Sequence, residues 1–299
     1  MSFTTDIKNE LCKIQTATCC KISECYGMLL FGRTFSADSM SVSTENEDVV
    51  DRLTLLLRQC YSVRPTITGG GNQRDFFTVS VPERSAREDI LNALGYFGFR
   101  DGDAIIKRQN IEEDCCQSSF LRGAFLVCGM VSDPNKEYHA EFSVHRAGLG
   151  EELFHLLKER GLSPGITARG KNSVVYFKEG DHIEDLLTTV QATNHTLELA
   201  GIRVYKDMRN HYNRLNNCET ANISKTVNAA VTQNRAIAKL IQAGVLSGLS
   251  EELRQAAHLR RENPEASLKE LCEAAGGTVT KSGLNHRLNR LVQLADRLE

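Results

Sequence analysis

The chain has 299 residues, which is long enough for two domains, and its composition is that of a folded globular protein, with 41% hydrophobic and 25% charged residues. The formal net charge of −2 at pH 7 gives no global sign of a nucleic-acid partner, so any such inference must rest on local charge. No apolar run is long enough to span a membrane, and the first residues lack the pattern of a signal peptide, so we expect a cytoplasmic protein without a membrane partner.

The ten cysteines occur singly or as adjacent pairs, and the chain contains no C-x-x-C motif. Adjacent cysteines are awkward zinc ligands because their side chains tend to diverge. Four cysteines near the N-terminus are still close enough in sequence to converge on a metal: Cys12, Cys19, Cys20 and Cys25. The spacing favours reduced thiols that act as small apolar residues, so we expect no metal and no cofactor.

Two segments in the first two thirds of the chain resemble each other at an offset of about one hundred residues. The first begins at Tyr26 with YGMLLFGRTFSADSM, and the second begins at Arg122 with RGAFLVCGMVSDPNK. The matched positions are Gly27 and Gly123, Pro65 and Pro164, and the aromatic pairs Phe76–Phe77 and Tyr176–Phe177. The offset is too long for a solenoid repeat and predicts a duplicated domain half.

Each segment predicts the same order of elements: a helix, two strands, a second helix, two more strands and a closing helix. The leading helices are expected over about 22–32 and 117–129. Gly27 and Gly123 lie within them and let two backbones approach closely, so we expect these helices to pack on each other at a pseudo-twofold axis. Hairpin turns are expected at Ala37–Ser39, Gly69–Gln73, Pro134–Lys136 and Gly170–Asn172.

The repeated order of elements and the core GAFLVCG at 123–129 resemble the LAGLIDADG homing-endonuclease fold. The resemblance implies paired helices that end in magnesium-binding acids above a saddle of strands that holds DNA. In this sequence the acid positions fall on Cys128 and, in the weaker repeat, on Gly32, and neither residue supplies the oxygen ligands that magnesium prefers. We therefore expect a helix pair that is kept for packing and a protein that is not an enzyme.

The strands of this saddle are expected to present a surface that is polar but not basic. Its side chains are Thr34, Ser36, Ser41, Ser43, Thr66, Thr68, His139, Glu141, Ser143, Thr167 and Arg169. Because Glu141 repels phosphates, a solvated sheet, or a surface for a protein or small ligand, is as good an interpretation as DNA contact.

Residues 206–240 are rich in asparagine and carry more basic than acidic side chains. Asn and Arg side chains read base edges and hold phosphates, which makes Arg209, Asn210, Arg214 and Lys225 candidates for additional DNA contacts. A helical apolar face is predicted in the second part of the segment: Val227, Ala230, Val231, Ile237, Leu240 and Ile241. The alternative interpretation is a linking helix with a solvated polar side.

Residues 248–299 have the pattern of a helix-turn-helix. A first helix begins at Ser250, and Ser267 begins a short second helix in a capping-box arrangement with Glu270. Gly276–Gly277 ends the second helix, and a third follows with Leu284, Leu288, Leu291 and Leu294 at helical spacing.

The third helix, which begins near Thr280, has no acid in its N-terminal half, whereas the second carries Glu270 and Glu273. The candidate DNA-binding residues are therefore Lys281, Ser282, Asn285, His286, Arg287, Asn289 and Arg290. We assign phosphate contacts to Lys281, Arg287 and Arg290, and base-edge contacts to Ser282, Asn285 and His286. The alternative is a three-helix protein-binding module with a basic face.

The stretches NPEASLKELCE, TKSGLNHRLNRL and RNHYNRLNNCETANISKTVNAAVTQ resemble the WhiA sporulation regulators of Gram-positive bacteria, and the resemblance covers essentially the whole chain. The family's SKSGxNHR motif falls on residues 280–287, with Thr280 in place of the first serine. The threonine keeps the hydroxyl that caps the third helix.

The resemblance implies an α+β fold class, with a duplicated, degenerate LAGLIDADG-like αββαββα domain over 1–195 and an all-α helix-turn-helix domain over 248–299. The two repeats are expected over about 20–100 and 115–195, and a helical Asn/Arg-rich segment over 196–247. The implied function is transcriptional regulation linked to cell division, chromosome segregation and, in sporulating hosts, sporulation. The implied partners are double-stranded DNA and the primary sigma factor of RNA polymerase, and the implied location is the cytoplasm, in association with the nucleoid.

Three classes of protein compete on this sequence: a DNA-binding regulator, a nuclease, and an adaptor that acts only through protein contacts. A nuclease needs acids at positions 32 and 128, and an adaptor leaves the acid-free run Lys281–Arg290 unexplained. We therefore expect a sequence-specific DNA-binding regulator. Its DNA site, its choice between activation and repression, and its oligomeric state stay open.

Overall fold

The computed structural model describes residues 2–69, 76–97 and 104–298. The chain divides into two compact units, Met1–Lys206 and Asp207–Glu299. Among the described helices, none combines the length and the apolar composition needed to cross a membrane.

The first unit contains both repeats, preceded by a short helix. Its elements are α1 (Phe3–Cys12), α2 (Thr18–Leu30), β1 (Thr34–Phe35), β2 (Met40–Thr44), α3 (Glu47–Tyr61), β3 (Thr66–Gly69), β4 (Phe77–Ser80), α4 (Arg84–Ala93), a 3-10 turn (Arg108–Asn110), α5 (Asp114–Cys128), β5 (Gly129–Val131), β6 (Ala140–Val144), α6 (Ala147–Glu159), β7 (Gly165–Arg169), β8 (Asn172–Phe177) and α7 (Gly180–Val190).

The helix α8 (Thr193–Gln242) begins in the first unit and ends in the second. The second unit continues with a 3-10 turn (Leu246–Gly248), α9 (Glu251–Glu262), α10 (Leu268–Ala274) and α11 (Lys281–Asp296). Where the sequence predicted a helical segment over 196–247, the structure has one long helix.

The order of elements predicted for each repeat is confirmed, and so is the α+β fold class. In the described residues each repeat forms one antiparallel sheet, with strand orders β1-β2-β4-β3 and β5-β6-β8-β7. Gly170 adopts a φ of +64° in the turn between β7 and β8, as the predicted hairpin requires. The hairpin predicted at Gly69–Gln73 lies, beyond Gly69, outside the described residues.

The leading helices α2 and α5 pack on each other at the two glycines, as predicted. A Cβ atom on Gly27 would lie 2.2 Å from the backbone oxygen of Phe120, and one on Gly123 would lie 2.2 Å from the backbone oxygen of Glu24. Both distances are far below van der Waals contact, so any side chain at either position forces the helices apart. The two contacts are equivalent under exchange of the repeats. Since residues at the C-terminal ends of both helices, Phe31 and Cys128, also line one groove, the two helices run in the same direction.

The core of the first unit is formed by the faces that the helical periodicity predicted. Buried residues of α3 and α6 include Val49, Leu53, Leu56, Leu57, Leu153, Leu156 and Leu157. The helix α1 was not predicted, and it adds Ile7 and Leu11 to this core. Its Glu10 carboxylate accepts hydrogen bonds from the backbone N–H of Asn194 (2.7 Å) and of His195 (3.2 Å), which caps the start of α8.

The prediction of a buried apolar face in the second part of α8 is correct for only half of its six residues. Ala230, Ile237 and Leu240 are buried, the last two in the core of the second unit. Val227, Val231 and Ile241 are exposed by 41–51%. The difference arises because the core of the second unit takes residues from only one side of this helix, whereas the sequence pattern groups apolar residues over a wider arc.

Candidate nucleic-acid interface

The helices α9, α10 and α11 surround a small apolar core that fixes which side of α11 faces solvent. Leu284, Leu288 and Leu291 of α11 are at most 1% exposed, and they pack with Ala257 of α9 and Leu271 of α10. Because residues three and four apart share one side of a helix, burial of these leucines turns the opposite side outward.

Caps that the sequence predicted fix the start of α10 and the turn between α10 and α11. The Ser267 hydroxyl accepts from the backbone N–H of Glu270 (3.3 Å), and the Glu270 carboxylate accepts from the backbone N–H of Ser267 (2.7 Å), which completes the capping box. Gly276 and Gly277 both adopt positive φ, of +66° and +73°. The Thr280 hydroxyl then accepts from the backbone N–H of Gly283 (3.2 Å) and caps α11.

The outward side of α11 carries the predicted base-reading residues Ser282, Asn285 and His286, together with the further candidate Asn289. Ser282, Asn285, His286 and Asn289 are all exposed, at spacings of three and four residues. Lys281 and Arg290 are exposed beside them, and the Arg290 guanidinium donates to the Gln293 amide oxygen at 3.3 Å. Because Asp296 is the sole acid within α11, the N-terminal two thirds of the helix present only basic and neutral groups. Such a surface suits the negatively charged major groove.

Arg287 differs from its predicted neighbours because it is partly covered. Its side chain is 25% exposed and forms an ion pair with Glu252 of α9 at 3.5 Å. A phosphate can reach Arg287 only in competition with this carboxylate. The sequence did not predict this pair, since Glu252 lies on a different helix.

A buried arginine holds the unit together behind this surface, and sequence reasoning missed it. Arg260 of α9 is 1% exposed and donates to the Gln233 amide oxygen (2.9 Å) and to the backbone oxygens of Asn263 (3.3 Å) and Ala266 (2.5 Å). Burial among these neutral partners lowers the pKa of Arg260. The arginine connects α8 and α9 to the segment that leads into α10.

The additional contacts proposed on α8 are all in solvent. Arg209, Asn210, Arg214 and Lys225 are exposed, and Asn210 and Arg214 share one side of the helix. Another side of the same stretch is apolar, with Met208, Tyr212 and Leu215 exposed by 69%, 70% and 51%. This part of α8 therefore offers both a polar and an apolar surface.

The positions of the lost catalytic acids lie at the C-terminal ends of α2 and α5. A Cβ atom on Gly32 would lie 2.6 Å from the Ser41 backbone oxygen, so the fold leaves no room for a carboxylate there. The Cys128 thiol donates to the Ala124 backbone oxygen at 3.2 Å, and burial raises its pKa to about 12, which keeps it a neutral thiol. The groove at these helix ends is lined by Phe31, Arg33, Ser43, Phe76, Val127, Cys128, Gly129, Ser143 and His145, with no carboxylate among them.

The saddle differs from the sequence expectation at Glu141. Its side chain is buried, 5% exposed, and Arg169 donates to both of its oxygens (2.8 and 2.9 Å), while His139 lies at 3.0 Å. Burial by itself raises the pKa of Glu141, but the hydrogen bonds from Arg169 and His139 outweigh it, and the pKa is lowered. The carboxylate is therefore charged but neutralised locally, and it does not repel phosphates as the sequence suggested. Ser36 and Ser41 are also buried rather than presented on the saddle.

Comparison with known proteins agrees with these two parts. Residues 117–209 match the WhiA LAGLIDADG-like domain, and residues 212–295 match the WhiA C-terminal HTH domain. Proteins described as "Probable cell division protein WhiA" from Ruminiclostridium cellulolyticum and Alkaliphilus metalliredigens are 37% and 36% identical to this chain, over 100% and 99% of it and 98% of each relative. The crystal structure of full-length DUF199/WhiA from Thermatoga maritima has the same fold, with a TM-score of 0.62 at 24% identity over 100% of this chain and 99% of that one. The chain belongs to the WhiA family of cell division proteins.

Proposed function

We propose that this protein is a sequence-specific DNA-binding transcriptional regulator whose reading element is the outward side of α11. The observation that carries the proposal is the acid-free, solvent-exposed row of Ser282, Asn285, His286 and Asn289, flanked by Lys281 and Arg290. Asparagine and basic side chains on the first half of a recognition helix form the hydrogen bonds that distinguish base pairs in the major groove.

The proposal assigns separate roles to the parts of the chain. Residues 248–299 read DNA, residues 196–247 add phosphate contacts through Arg209, Asn210, Arg214 and Lys225, and residues 1–195 are a scaffold without nuclease activity. A single helix-turn-helix binds DNA weakly, so contacts outside α11 raise the affinity. The groove beside Cys128 supports the scaffold role, because its lining residues include no carboxylate that could hold magnesium.

Family membership supports the finer parts of the proposal. The regulator acts on genes of cell division and chromosome segregation, and of sporulation where the host sporulates, in association with the nucleoid. It also contacts the primary sigma factor of RNA polymerase. Size-exclusion chromatography of the purified protein with purified sigma factor tests this contact, and two components that elute separately at micromolar concentration would exclude it.

The second candidate function is an adaptor that acts through protein contacts alone. The exposed apolar side of α8 at Met208, Tyr212 and Leu215 favours it, because large apolar side chains in solvent often mark a partner surface. The pairing of Arg287 with Glu252 also reduces the basic charge that α11 offers.

The deciding experiment is a titration of the full-length protein on sheared genomic DNA with magnesium present, followed by a check of the same DNA for nicks. Binding to intact DNA that weakens steeply as salt rises supports the regulator. A double variant with Lys281→Ala and Arg290→Ala should then lose most of the binding. Cleaved DNA would show a nuclease. The absence of both binding and cleavage would favour the adaptor.

A further inference from the structure

The N-terminal ends of α2 and α5 bring two cysteine pairs together. The sulfur atoms of Cys19, Cys20, Cys115 and Cys116 all lie within 4.8 Å of one another, and the first two are 3.9 Å apart. All four are free thiols. We propose that these four thiolates form a binding site for one zinc ion, which joins the two repeats at the end of the helix pair opposite the lost catalytic acids.

The helix pair itself creates this convergence. Each cysteine pair takes the second and third positions of its helix, after Thr18 in α2 and after Asp114 in α5. Each pair also precedes the glycine of the helix crossing, Gly27 or Gly123, by the same number of residues. Because the two helices run in the same direction and touch at those glycines, equivalent positions near their N-termini face each other across the pseudo-twofold axis. The duplication thus supplies two ligands from each repeat.

The spacing of the sulfurs fits a single tetrahedral ion. With Zn–S bonds of about 2.3 Å, tetrahedral coordination places sulfur atoms about 3.8 Å apart. The Cys19–Cys20 separation of 3.9 Å already matches this value, and the remaining pairs need to close by at most about 1 Å. An iron–sulfur cluster with several iron atoms would hold its four cysteine sulfur ligands further apart than a single metal ion does. Four thiolates in a tetrahedral set are the typical ligands of structural zinc.

The surroundings favour a bound cation and its thiolates. Cys20 and Cys116 are buried, whereas Cys19 and Cys115 are exposed, so an ion can reach the site from solvent and then be half enclosed. Two helix N-termini direct their partial positive charges at the sulfurs, which offsets part of the double negative charge of a zinc ion with four thiolates. The Ser23 hydroxyl donates to the backbone oxygens of Cys19 (3.1 Å) and Asn110 (2.8 Å), which fixes the backbone next to one of the ligands from outside the coordination shell.

Binding must be coupled to proton release. A cysteine binds a metal as its thiolate, and an ordinary free thiol keeps most of its proton at neutral pH. One zinc ion that binds four thiols displaces four protons and leaves a complex of charge −2. The apparent affinity for zinc should therefore rise with pH. With all four positions filled by protein, the ion has no open site for a substrate, and its role is to hold the two repeats together.

The test uses the full-length protein, reduced and freed of metal with a chelator. The protein is titrated with Zn²⁺ against a colour-changing chelator, and separately with Co²⁺. We expect one equivalent of zinc, a thiolate-to-cobalt charge-transfer absorption, and a higher unfolding temperature in the presence of zinc. Binding of much less than one equivalent, or cobalt spectra without the charge-transfer band, would overturn the proposal.

Matched variants locate the ion. The double variant C19S/C115S replaces the two exposed sulfurs and should weaken zinc binding by more than about 100-fold. The control C218S/C272S changes two cysteines outside the site and should bind as the wild type does. Equal loss in both variants would refute the assignment. If the first variant does not fold, as judged by circular dichroism, the single variant C115S replaces it. A disulfide between α2 and α5 in peptide maps of zinc-saturated protein, purified without added reductant, would refute a metal site in favour of a redox-active thiol pair.

Discussion

Glu24 is the residue on which the contact between the two repeats depends most. Its side chain is 0% exposed, and it accepts from Arg52 at 2.7 and 2.8 Å and from Arg122 at 2.8 and 3.1 Å. Arg122 also donates to Gln191 (2.7 Å) and to the Ser119 hydroxyl (3.0 Å). One carboxylate thus pairs with two buried guanidinium groups that come from different repeats. Any packing of the repeats that separates either guanidinium from this carboxylate leaves a buried charge unpaired, which disfavours that packing.

Replacement of Glu24 by glutamine should destabilise the first unit by about 3–5 kcal/mol, because it leaves two buried cations without a counter-charge. Urea unfolding followed by circular dichroism measures the change. The control is Arg84→Gln, whose ion pairs with Glu88 and Asp38 lie in solvent and should not change stability measurably. A stable E24Q protein with unchanged unfolding would mean that water reaches the group.

The proposed division of roles on α11 can be tested at single residues. Asn285→Ala should cost about 1–3 kcal/mol of DNA binding and relax the preference at one base pair, because an amide in the groove reads a base edge. Arg290→Ala should weaken binding to every sequence and flatten the salt dependence, since a phosphate contact carries no sequence information. Binding measured on a preferred site and on a scrambled site, at several salt concentrations, separates the two. The same sequence-independent loss in both variants would contradict this division.

At the scale of elements, the crossing of α2 and α5 is the contact that tolerates least change. Gly123→Ala puts a methyl group 2.2 Å from the Glu24 backbone oxygen, and because backbone cannot move aside cheaply, we expect a loss of about 1–3 kcal/mol in the free energy of unfolding. Gly148→Ala on α6 is the matched control, since a Cβ there meets nothing within 4 Å. The control should be neutral or gain up to about 1 kcal/mol from helix propensity. Equal stability of both variants would mean that the helices do not pack as closely as described.

The sequence predicted those elements whose signals are local. Apolar periodicity and caps, such as Ser267 with Glu270, depend on residues a few positions apart, and the structure confirms them. Contacts between distant segments had no such signal. Glu24 and Arg122 lie 98 residues apart, and the Glu252–Arg287 pair joins two helices. The cysteine spacing suggested Cys12 and Cys25 as companions of Cys19 and Cys20, whereas the duplication supplies Cys115 and Cys116 instead. Cysteines that are close in sequence belong to one repeat, but the packing of the two repeats across the pseudo-twofold axis decides which cysteines meet.

At the scale of the whole molecule, the two units have separate cores. The core of the first unit includes residues from Ile7 to Leu199, and that of the second unit begins at Ala236. Neither core takes a residue from the stretch of α8 between Leu199 and Ala236, which the structure describes throughout and which is largely exposed. A helix that is exposed on all sides gains little stability from packing. The chain is therefore expected to unfold as two cooperative parts rather than one.

A matched pair of cavity-forming substitutions tests this division. Leu156 and Leu288 are both 0% exposed, the first in the core of the first unit and the second in that of α9–α11. Replacement of either by alanine should cost about 2–5 kcal/mol, from lost burial and from the cavity left behind. Because the cores share no residue, Leu156→Ala should lower the transition of the first unit alone, and Leu288→Ala that of the second alone. Differential scanning calorimetry, with each transition assigned by the variant that shifts it, provides the measurement. A single transition lowered by both variants would mean that the two cores unfold together, with α8 as the segment that links their stabilities.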